Sequence, residues 1–324
     1  MNPKFRNNIS VRIVYRNFWD GFSYNNNFLT RLLNLSNKLS MQIASMEDQE
    51  IEFVSHFPPS LSNTKTLAIA VKHFFVQSLQ LKRNVKDIQN FSNQTKLSIF
   101  YTGENYRVPN RERYSISHDL DDYNSSNIYY PYLFDHLLMA KLKQNDHLYG
   151  SSINFDSLLK DRKLEGRHTH FACIFYGNRT PLRARLVEEM RNHGTVDVFG
   201  KASGKYVEDR SDLFGKYKYV LCPENDFFPG YVTEKLLHAY AMGSVPIYWG
   251  GLTTHQGVNH ESLLVVSPEQ QLKTRISEIA NIDDAEYKRI YERKLLLNEP
   301  NWLTIIDQLL IWIKSNEFGK SNVD

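Results

Sequence analysis

The stretch 224–235 concentrates side chains that can bind a polar ligand or move a proton. They are Glu224, Asn225, Tyr231, Glu234 and Lys235. A short apolar and aromatic run at 217–221 precedes them, and a helix is predicted over 234–242, with Thr233 as its cap and Gly243 as its stop. Ligands of open parallel sheets bind where strands end and helices begin. The stretch is therefore the first candidate for a functional site.

A second strand-to-helix turn, after the apolar run at 171–176, carries Arg179, Arg183 and Arg185. A helix N-terminus favours anions through its free N–H groups and its dipole. Arginine binds phosphate oxygens in a bidentate way and lysine acts as a point charge, so Arg183 with Lys235 would suit a diphosphate. For any single cation, a solvated helix surface is the better interpretation. Two such turns favour a site, although the sequence has neither a G-x-G-x-x-G fingerprint nor a P-loop.

Carboxylates near these turns suggest further roles. Glu224 and Glu234 could hydrogen-bond a ribose diol, but an acid such as Glu234 in a first turn equally complements the helix dipole. Tyr231 would either stack on a base or pack in the core. Earlier in the chain, Glu104 follows a strand predicted at 97–101. A partly desolvated glutamate there could take a proton from an alcohol, and the alternative is an exposed loop glutamate without a role.

Two other patterns predict no metal site. Asp119 and Asp121 form a D-x-D pair in a polar loop with no strand before it, which favours a solvated loop. The 11 histidines are scattered without the spacing of metal ligands, so we expect no structural zinc.

Strands alternate with helices in both halves of the chain, which predicts an α/β fold with parallel sheets. In the first half, strands are expected at 11–15, 51–54, 97–101 and 129–133, helices over 27–39 and 134–142, and polar irregular chain over 105–127. In the second half, strands are expected at 171–176, 196–199, 217–221, 244–249 and 263–266, and helices over 182–192, 234–242 and most of 269–317. Charge and glycine interrupt the pattern near 150–168. We expect domains at 1–155 and 156–305, followed by a helix and tail at 306–324.

Composition limits the class of protein. A chain of 324 residues with 41% hydrophobic and 13% aromatic residues can build two packed domains. A net charge of +3 argues against a nucleic-acid partner. Residues 1–19 lack an apolar signal-peptide core, and there is no apolar run of about 18 residues, so neither export nor a membrane span is expected. Cys173 and Cys222 show no pairing pattern, which favours reduced thiols and a cytoplasmic protein.

The stretch 216–251 is similar to the signature of the α1,3/4-fucosyltransferase family, in its bacterial form. The matching runs are Glu224-Asn225, GYVTEK at 230–235 and PIYWG at 246–250. Three further motifs match in order: FYTGEN at 100–105, the turn and helix start at 178–183, and NFW at 17–19. The resemblance spans about residues 11–270, and its central motif is long and specific.

This resemblance implies a GT-B architecture, with two Rossmann-like domains facing across a cleft. It also implies GDP-β-L-fucose as the donor and inversion at the anomeric carbon. In the second domain, Arg183 and Lys235 would neutralise the diphosphate and Glu234 would bind the ribose. The other residues that it places around the donor are Asn225, Tyr231 and Glu224.

In the first domain, the resemblance makes Glu104 the general base and Trp19 and Asn105 acceptor-binding residues. Such a transfer needs a base for the attacking hydroxyl, charge to stabilise the leaving diphosphate and room for an oxocarbenium-like sugar. No cofactor is expected, and a divalent metal would at most stimulate the reaction.

The predicted function is therefore an inverting α1,3-fucosyltransferase that acts on the GlcNAc of a Galβ1,4GlcNAc-type glycan. Its partners would be GDP-fucose and an oligosaccharide or glycolipid acceptor, such as lipopolysaccharide. The protein would be cytoplasmic or held peripherally at the inner membrane face, and its oligomeric state stays open. The alternatives are a GT-B enzyme using another nucleotide sugar, an α1,4 linkage to a type-1 acceptor, and a glycan-binding protein without activity.

The chain departs from the family pattern in two places. The loop 223–229 carries an extra proline and two phenylalanines, so its contacts near the fucose should differ. In place of heptad repeats and a basic amphipathic tail there is only the run 302–314, whose apolar spacing fits core packing better than membrane docking.

Overall fold

The computed structural model describes residues 9–16, 18, 23, 26–35, 39–43, 51–55, 97–108, 114–143, 153–166, 168–207, 210, 213 and 215–318. These residues form two compact units. The first unit contains the described residues up to Thr102, those of Tyr106–Tyr129 and those from Asn301 onward. The second contains Gly103–Asn105 and the described residues of Tyr130–Pro300.

A parallel sheet of six strands forms the centre of the first unit. Its strands are β1 (Ile9–Arg16), β2 (Leu39–Ile43), β3 (Ile51–Val54), β4 (Leu97–Tyr101), β5 (Tyr114–Ser117) and β6 (Asn127–Tyr129), in the spatial order β2-β1-β3-β4-β5-β6. Side chains such as Ile13, Phe53 and Ile99 are buried along the strands. Because β4 ends at Tyr101, the chain reaches Glu104 just beyond the carboxyl end of a central strand.

A second parallel sheet, of five strands, forms the centre of the second unit. Its strands are β7 (His170–Phe175), β8 (Val196–Phe199), β9 (Tyr217–Pro223), β10 (Val245–Trp249) and β11 (Leu264–Val265), in the order β11-β10-β9-β7-β8. The strand β7 pairs with β8 on one side and with β9 on the other, so the direction of winding reverses there. Such a reversal leaves a crevice at the carboxyl ends of the two strands, where ligands bind.

Among the residues that the structure describes, eight α-helices connect the strands or follow them. They are α1 (Phe28–Asn34), α2 (Tyr132–Lys141), α3 (Phe155–Leu158), α4 (Pro181–Arg191), α5 (Lys235–Ala241), α6 (Leu272–Ala280), α7 (Asp284–Glu292) and α8 (Trp302–Phe318). The helices α1 and α8 belong to the first unit and the others to the second.

The core of the first unit includes α8. Trp312 packs on Tyr114 with ring centroids 4.6 Å apart, and its indole N–H donates to the carbonyl of Ser125 (2.9 Å). Other buried side chains of this helix include Ile306 and Leu309. The apolar spacing at 302–314 therefore reflects core packing, as predicted.

The division of the chain differs from the predicted one. The main segment of the second unit begins at Tyr130 rather than at residue 156, because α2 packs with the second unit. There the backbone N–H of Leu133 donates to the carbonyl of Val232 (3.1 Å). The predicted separate tail at 306–324 begins inside α8, which belongs to the first unit.

Two strands of the first sheet were not predicted, and a third, β6, shares only Tyr129 with the strand expected at 129–133. The helix expected over 27–39 ends at Asn34, and β2 begins at Leu39. The strand β5 lies inside the region expected to be irregular. Its Ser115 and Ser117 are buried, and both hydroxyls donate to Asn127 Oδ1, at 2.7 and 2.8 Å. Hydropathy does not reveal a strand whose buried polar groups are satisfied in this way.

Across the described part of the chain, none of the helices has the length and apolar character that a membrane span needs. Cys173 and Cys222 are both buried and both free thiols, in agreement with the expectation of reduced cysteines.

Candidate active site

Arg183 and Asn225 meet at the carboxyl edge of the second sheet, where β7 and β9 run side by side. Arg183 lies in the first turn of α4, which follows β7, and Asn225 follows β9. The buried guanidinium donates from Nη2 to Asn225 Oδ1 (2.7 Å) and from Nη1 to the carbonyl of Asn178 (2.8 Å). Burial lowers the pKa of Arg183, and the charge of Glu224 opposes this effect. A cation is therefore held at the switch point of the sheet.

The start of α4 explains why Arg183 is placed there. Thr180 is the N-cap, and its hydroxyl accepts from the backbone N–H of Arg183 (3.3 Å). Pro181 occupies the first position of the helix, where its missing N–H costs nothing. The Thr-Pro pair thus fixes the turn from which the arginine reaches Asn225.

Glu224 is the centre of a buried network at the start of α5. Its carboxylate has no exposed surface. Oε1 accepts from the backbone N–H of Thr233 (2.8 Å) and from the hydroxyl of Tyr248 (3.4 Å). Oε2 accepts from the hydroxyl of Thr233 (2.8 Å) and from Lys235 Nζ (2.9 Å). The resemblance placed Glu224 around the donor, but the structure turns both carboxylate oxygens toward donors of the chain itself.

Lys235 is the second cation at this edge of the sheet. Its Nζ donates to Thr233 Oγ1 (2.7 Å) as well as to Glu224, and 21% of its side chain is exposed. Burial alone would lower the pKa of Lys235, but the charges of Glu224 and Glu234 outweigh it and raise the pKa. The charge of Arg183 acts in the opposite sense, so the two cations lie within electrostatic range of each other.

Glu234 occupies the N-cap position of α5, although its side chain makes no capping hydrogen bond. Burial would raise its pKa, but the charges of Lys235, His136 and His238 outweigh burial and lower the pKa of Glu234 to about 2. His136 comes from α2, and its ring packs edge-on against His238 with centroids 5.2 Å apart. Sequence reasoning missed His136, because nothing in its spacing connects α2 to the stretch 224–235.

Thr233 has a different role from the predicted one. The sequence indicated that its hydroxyl would cap the helix, but this hydroxyl donates to Glu224 and accepts from Lys235 Nζ. It therefore bridges the buried acid and the partly exposed ammonium. The GYVTEK motif was the available signal, since it contains Thr233 together with Lys235.

The segment Gly103–Asn105 brings Glu104 to the same residues, because it belongs to the second unit although it follows a strand of the first sheet. Glu104 is exposed, and its Oε2 accepts from the hydroxyl of Tyr231 (3.3 Å) and from Asn225 Nδ2 (3.4 Å). Tyr231 is fully buried, and burial, followed by the charge of Glu104, raises its pKa, so that it stays a hydrogen-bond donor. A continuous chain of hydrogen bonds thus joins Arg183, Asn225 and Glu104.

Of the two predicted acceptor-binding residues, the structure places one. Asn105 Nδ2 donates to Asp226 Oδ2 at 2.6 Å, and Trp19 lies outside the described residues. Asp226 was not a candidate from sequence, although its position directly after Glu224-Asn225 in a loop was a signal.

Two glycines follow β10, and the second, Gly251, allows the loop before Tyr231 to come close to the sheet. A Cβ atom on Gly250 would lie 2.7 Å from Cγ of Glu224, and one on Gly251 would lie 1.6 Å from the carbonyl oxygen of Phe228. The backbone N–H of Gly230 donates to the carbonyl of Gly251 (2.8 Å). Gly251 is therefore needed for close backbone approach, because a side chain there would displace the loop, whereas a side chain at Gly250 would meet the side chains of Tyr248 and Glu224.

Asp119 and Asp121, which form the D-x-D pair, take part in local turns. Asp121 Oδ1 accepts from the backbone N–H of Tyr123 (2.9 Å), and Asp119 Oδ2 accepts from the hydroxyl of the same tyrosine. Among residues that the structure places, no group of histidine, cysteine and acidic side chains is arranged to hold a metal.

The comparisons with known proteins agree with one another. A family model described as glycosyltransferase family 10 (fucosyltransferase) C-term matches residues 166–295. An α-(1,3)-fucosyltransferase of Helicobacter pylori is 28% identical over 200 residues, which is 54% of this chain and 42% of the relative. The 4-galactosyl-N-acetylglucosaminide 3-α-L-fucosyltransferase 9 of Mus musculus is 33% identical over 82 residues, 24% of this chain and 23% of the relative. The chain thus spans less than half the length of these curated relatives.

A solved structure shares the fold. An α1,3-fucosyltransferase crystallised with GDP-fucose matches with a TM-score of 0.64 and 18% identity, over 100% of this chain and 95% of the other. The predicted fold class, a GT-B type α/β protein with two parallel-sheet domains, is confirmed. Residues 166–295 thus match the model of a fucosyltransferase family, and Arg183, Asn225 and Lys235, which all lie within that range, stand at the carboxyl edge of the second sheet.

Proposed function

We propose that the chain transfers L-fucose from GDP-β-L-fucose to a sugar hydroxyl, with inversion at the anomeric carbon. The observation that carries the proposal is the hydrogen-bonded chain that runs from Arg183 through Asn225 to Glu104. It connects a cation suited to a leaving diphosphate with a carboxylate suited to an incoming hydroxyl, as a group transfer requires.

The leaving group would be stabilised by Arg183 and Lys235. A guanidinium has five N–H donors and an ammonium has three. Arg183 uses two of its donors on Asn178 and Asn225. Lys235 uses two of its donors on Glu224 and Thr233. The remaining donors would bind the diphosphate oxygens as the bond from fucose C1 to the phosphate oxygen breaks. Because these side chains supply the positive charge, we propose that no metal or cofactor is needed.

The acceptor would be activated by Glu104. Its carboxylate would take the proton of the attacking hydroxyl while that oxygen forms a bond to fucose C1, on the face opposite the departing GDP. The products are then an α-fucoside, GDP and a protonated Glu104, which later returns its proton to water. The hydroxyl of Tyr231 and the amide of Asn225 hold Oε2 from one side and so orient the base.

We propose the GlcNAc of a Galβ1,4GlcNAc-type glycan as the acceptor, with an α1,3 linkage. The support is the name of the mouse relative, a 4-galactosyl-N-acetylglucosaminide 3-α-L-fucosyltransferase, together with that of the α-(1,3)-fucosyltransferase from Helicobacter pylori. A lipopolysaccharide or an oligosaccharide carrying this unit would serve equally, since the same sugar hydroxyl reacts.

The first experiment measures GDP release by the purified chain from GDP-fucose, with N-acetyllactosamine or its type-1 isomer as the acceptor. We expect turnover with N-acetyllactosamine, and we expect NMR of the product to show an α1,3 linkage. The rate of turnover should be the same before and after the protein is dialysed against EDTA. Product from the type-1 isomer alone would indicate α1,4 transfer instead. No turnover on either acceptor would count against this acceptor class, and loss of activity with EDTA that added metal restores would contradict the metal-free proposal.

The role of Glu104 is tested with Glu104→Gln, which keeps the shape of the side chain but not its basicity. We expect transfer to fall by about 10²–10⁴-fold, the usual contribution of a general base. GDP affinity by titration calorimetry should stay close to that of the wild type, because the cations are untouched. Glu278→Gln removes an exposed acid from an ion pair on α6 and is the control. Transfer by Glu104→Gln at the wild-type rate would exclude this base.

A further inference from the structure

Asn105 and Asp226 are 121 positions apart in sequence and share a hydrogen bond of 2.6 Å, from Nδ2 to Oδ2. The other oxygen of the same carboxylate, Oδ1, accepts from the backbone N–H of Phe227 (2.8 Å). Asp226 therefore ties the segment that carries Glu104 to the loop that follows β9. A bond of this length to an ionised carboxylate belongs to the stronger class of hydrogen bonds.

The contacts of Glu104 itself are longer. Its Oε2 is 3.3 Å from the hydroxyl of Tyr231 and 3.4 Å from Asn225 Nδ2, and the side chain is exposed. Hydrogen bonds near the upper limit of length hold a solvated carboxylate weakly. The neighbouring Asn105 makes the shorter bond, to an aspartate that is also exposed, and this bond adds a restraint on the backbone next to Glu104.

We propose that Asn105 and Asp226 form a positioning pair that holds the general base in place for catalysis. The inference rests on the proposed function, because it assumes that Glu104 is the base. Misplacing a reacting group by about 1 Å can cost on the order of 10²-fold in rate. The pair touches neither reacting atom and acts through the adjacent residue. This differs from the acceptor-binding role that the resemblance implied for Asn105.

The two roles predict different kinetics. A positioning residue changes kcat and leaves the acceptor KM and GDP affinity alone, whereas an acceptor-binding residue raises the acceptor KM. We expect Asn105→Ala and Asp226→Ala each to lower kcat by about 10–100-fold. The double variant should be no worse than either single variant, because both remove the same interaction. A raised acceptor KM with unchanged kcat in Asn105→Ala would overturn the proposal.

Exchanging the partners gives a rescue test. Asn105→Asp alone would place two carboxylates together, and we expect it to lose at least as much activity as Asn105→Ala. The double variant Asn105→Asp/Asp226→Asn again sets an amide against a carboxylate and leaves an amide oxygen for the N–H of Phe227. It should recover most of the lost kcat. If the double variant is as poor as Asn105→Asp alone, the hydrogen bond is not what matters, and the proposal fails.

Hydrogen–deuterium exchange separates this proposal from the proposed function. In Asp226→Ala we expect amides of the peptide covering 102–107 to exchange several-fold faster than in the wild type, with no change over α6. Glu278→Gln should leave both regions unchanged. This readout needs no substrate, so it decides the pairing even if the wild type transfers no fucose. Unchanged exchange over 102–107 in Asp226→Ala would overturn the pairing, whereas absent transfer with faster exchange would count only against the function.

Discussion

Glu224 is a buried carboxylate. Among the described residues, Lys235 is the cation with which it forms an ion pair. A buried charge left without its partner costs several kcal/mol, so the two residues are coupled more strongly than a surface pair would be. Glu224 therefore affects the proposed diphosphate site through Lys235 and not by direct contact. It keeps the ammonium protonated and, with Thr233, fixes its direction.

This coupling predicts a pH dependence for Glu224→Gln. In the wild type Glu224 helps to raise the pKa of Lys235, so the positive charge persists at alkaline pH. Without the Glu224 carboxylate, only Glu234 among the two acids still opposes the effect of burial, so the pKa of Lys235 falls and the ammonium loses its proton earlier as pH rises. We expect GDP affinity by calorimetry to fall more steeply between pH 7 and about pH 10 in the variant, the upper limit being near the ordinary lysine pKa.

Tyr248→Phe is the matched control, since it removes only the longest of the bonds to Glu224, 3.4 Å, and keeps the charge. It should follow the wild-type curve, including any contribution from titration of the guanine base, which all samples share. Parallel curves for Glu224→Gln and the wild type would show that the carboxylate does not control the charge of Lys235.

At the scale of elements, Arg162 fastens α5 to α7. Its guanidinium lies between the rings of Tyr240 and Tyr291, 3.8 Å from each centroid. Its three nitrogens donate to the carbonyls of Tyr291 (2.6 Å), Tyr240 (2.7 Å) and Ser244 (2.8 Å). The first two carbonyls lie near the ends of the two helices, and the third lies just before β10. One side chain thus combines cation–π stacking with three charge-assisted bonds.

Arg162→Lys should therefore destabilise the second unit. An ammonium cannot reach three carbonyls in diverging directions or stack as a plane between two rings. We expect the calorimetric melting temperature to fall by roughly 5–15 °C, from a loss of a few kcal/mol. Arg289→Lys is the control, because its bonds to Glu286 are exposed and lie within α7. Equal melting temperatures for Arg162→Lys and the wild type would contradict the role.

The elements themselves were largely predictable from sequence. Strands over 51–54, 97–101 and 196–199 were predicted with the bounds that the structure shows, because buried parallel strands are short apolar runs. The packing was not predictable. Arg162 lies in the charged region that suggested a domain boundary, and its partners are far along the chain. The hydrogen-bond partners of polar residues in the core are distant in sequence, so a local sequence pattern does not predict them.

At the scale of the whole molecule, the sequence predicted that Arg183, Asn225 and Tyr231 would lie at one edge of the second sheet. The structure brings the three side chains together there, because strand-to-helix turns of one parallel sheet share an edge. It did not foresee that the segment Gly103–Asn105 would group with the second unit, since a loop after a first-sheet strand would be expected to belong to the first. The contacts of Glu104 depend on side-chain geometry, which the hydrophobic pattern of the sequence does not predict.

Nucleotide binding should stabilise the whole protein selectively. A ligand that binds only the folded state adds about 2.7 kcal/mol at a concentration one hundred times its Kd. In thermal-shift titrations we expect GDP to raise the melting temperature more than UDP or ADP. The shift should be smaller in Lys235→Ala, which removes a cation from the proposed diphosphate site. A larger shift with UDP would point to another nucleotide sugar, the alternative donor considered from sequence.

The close approach at Gly251 has a consequence for engineering the proposed transferase. Libraries that aim to change the donor or acceptor of the proposed transfer would vary the loop between β9 and α5, where Phe227 is 47% exposed. Gly251 offers no such freedom, since the atom that any other amino acid adds would lie 1.6 Å from the carbonyl oxygen of Phe228. Diversity should therefore be placed at Phe227, with Gly251 kept constant, so that most library members still fold.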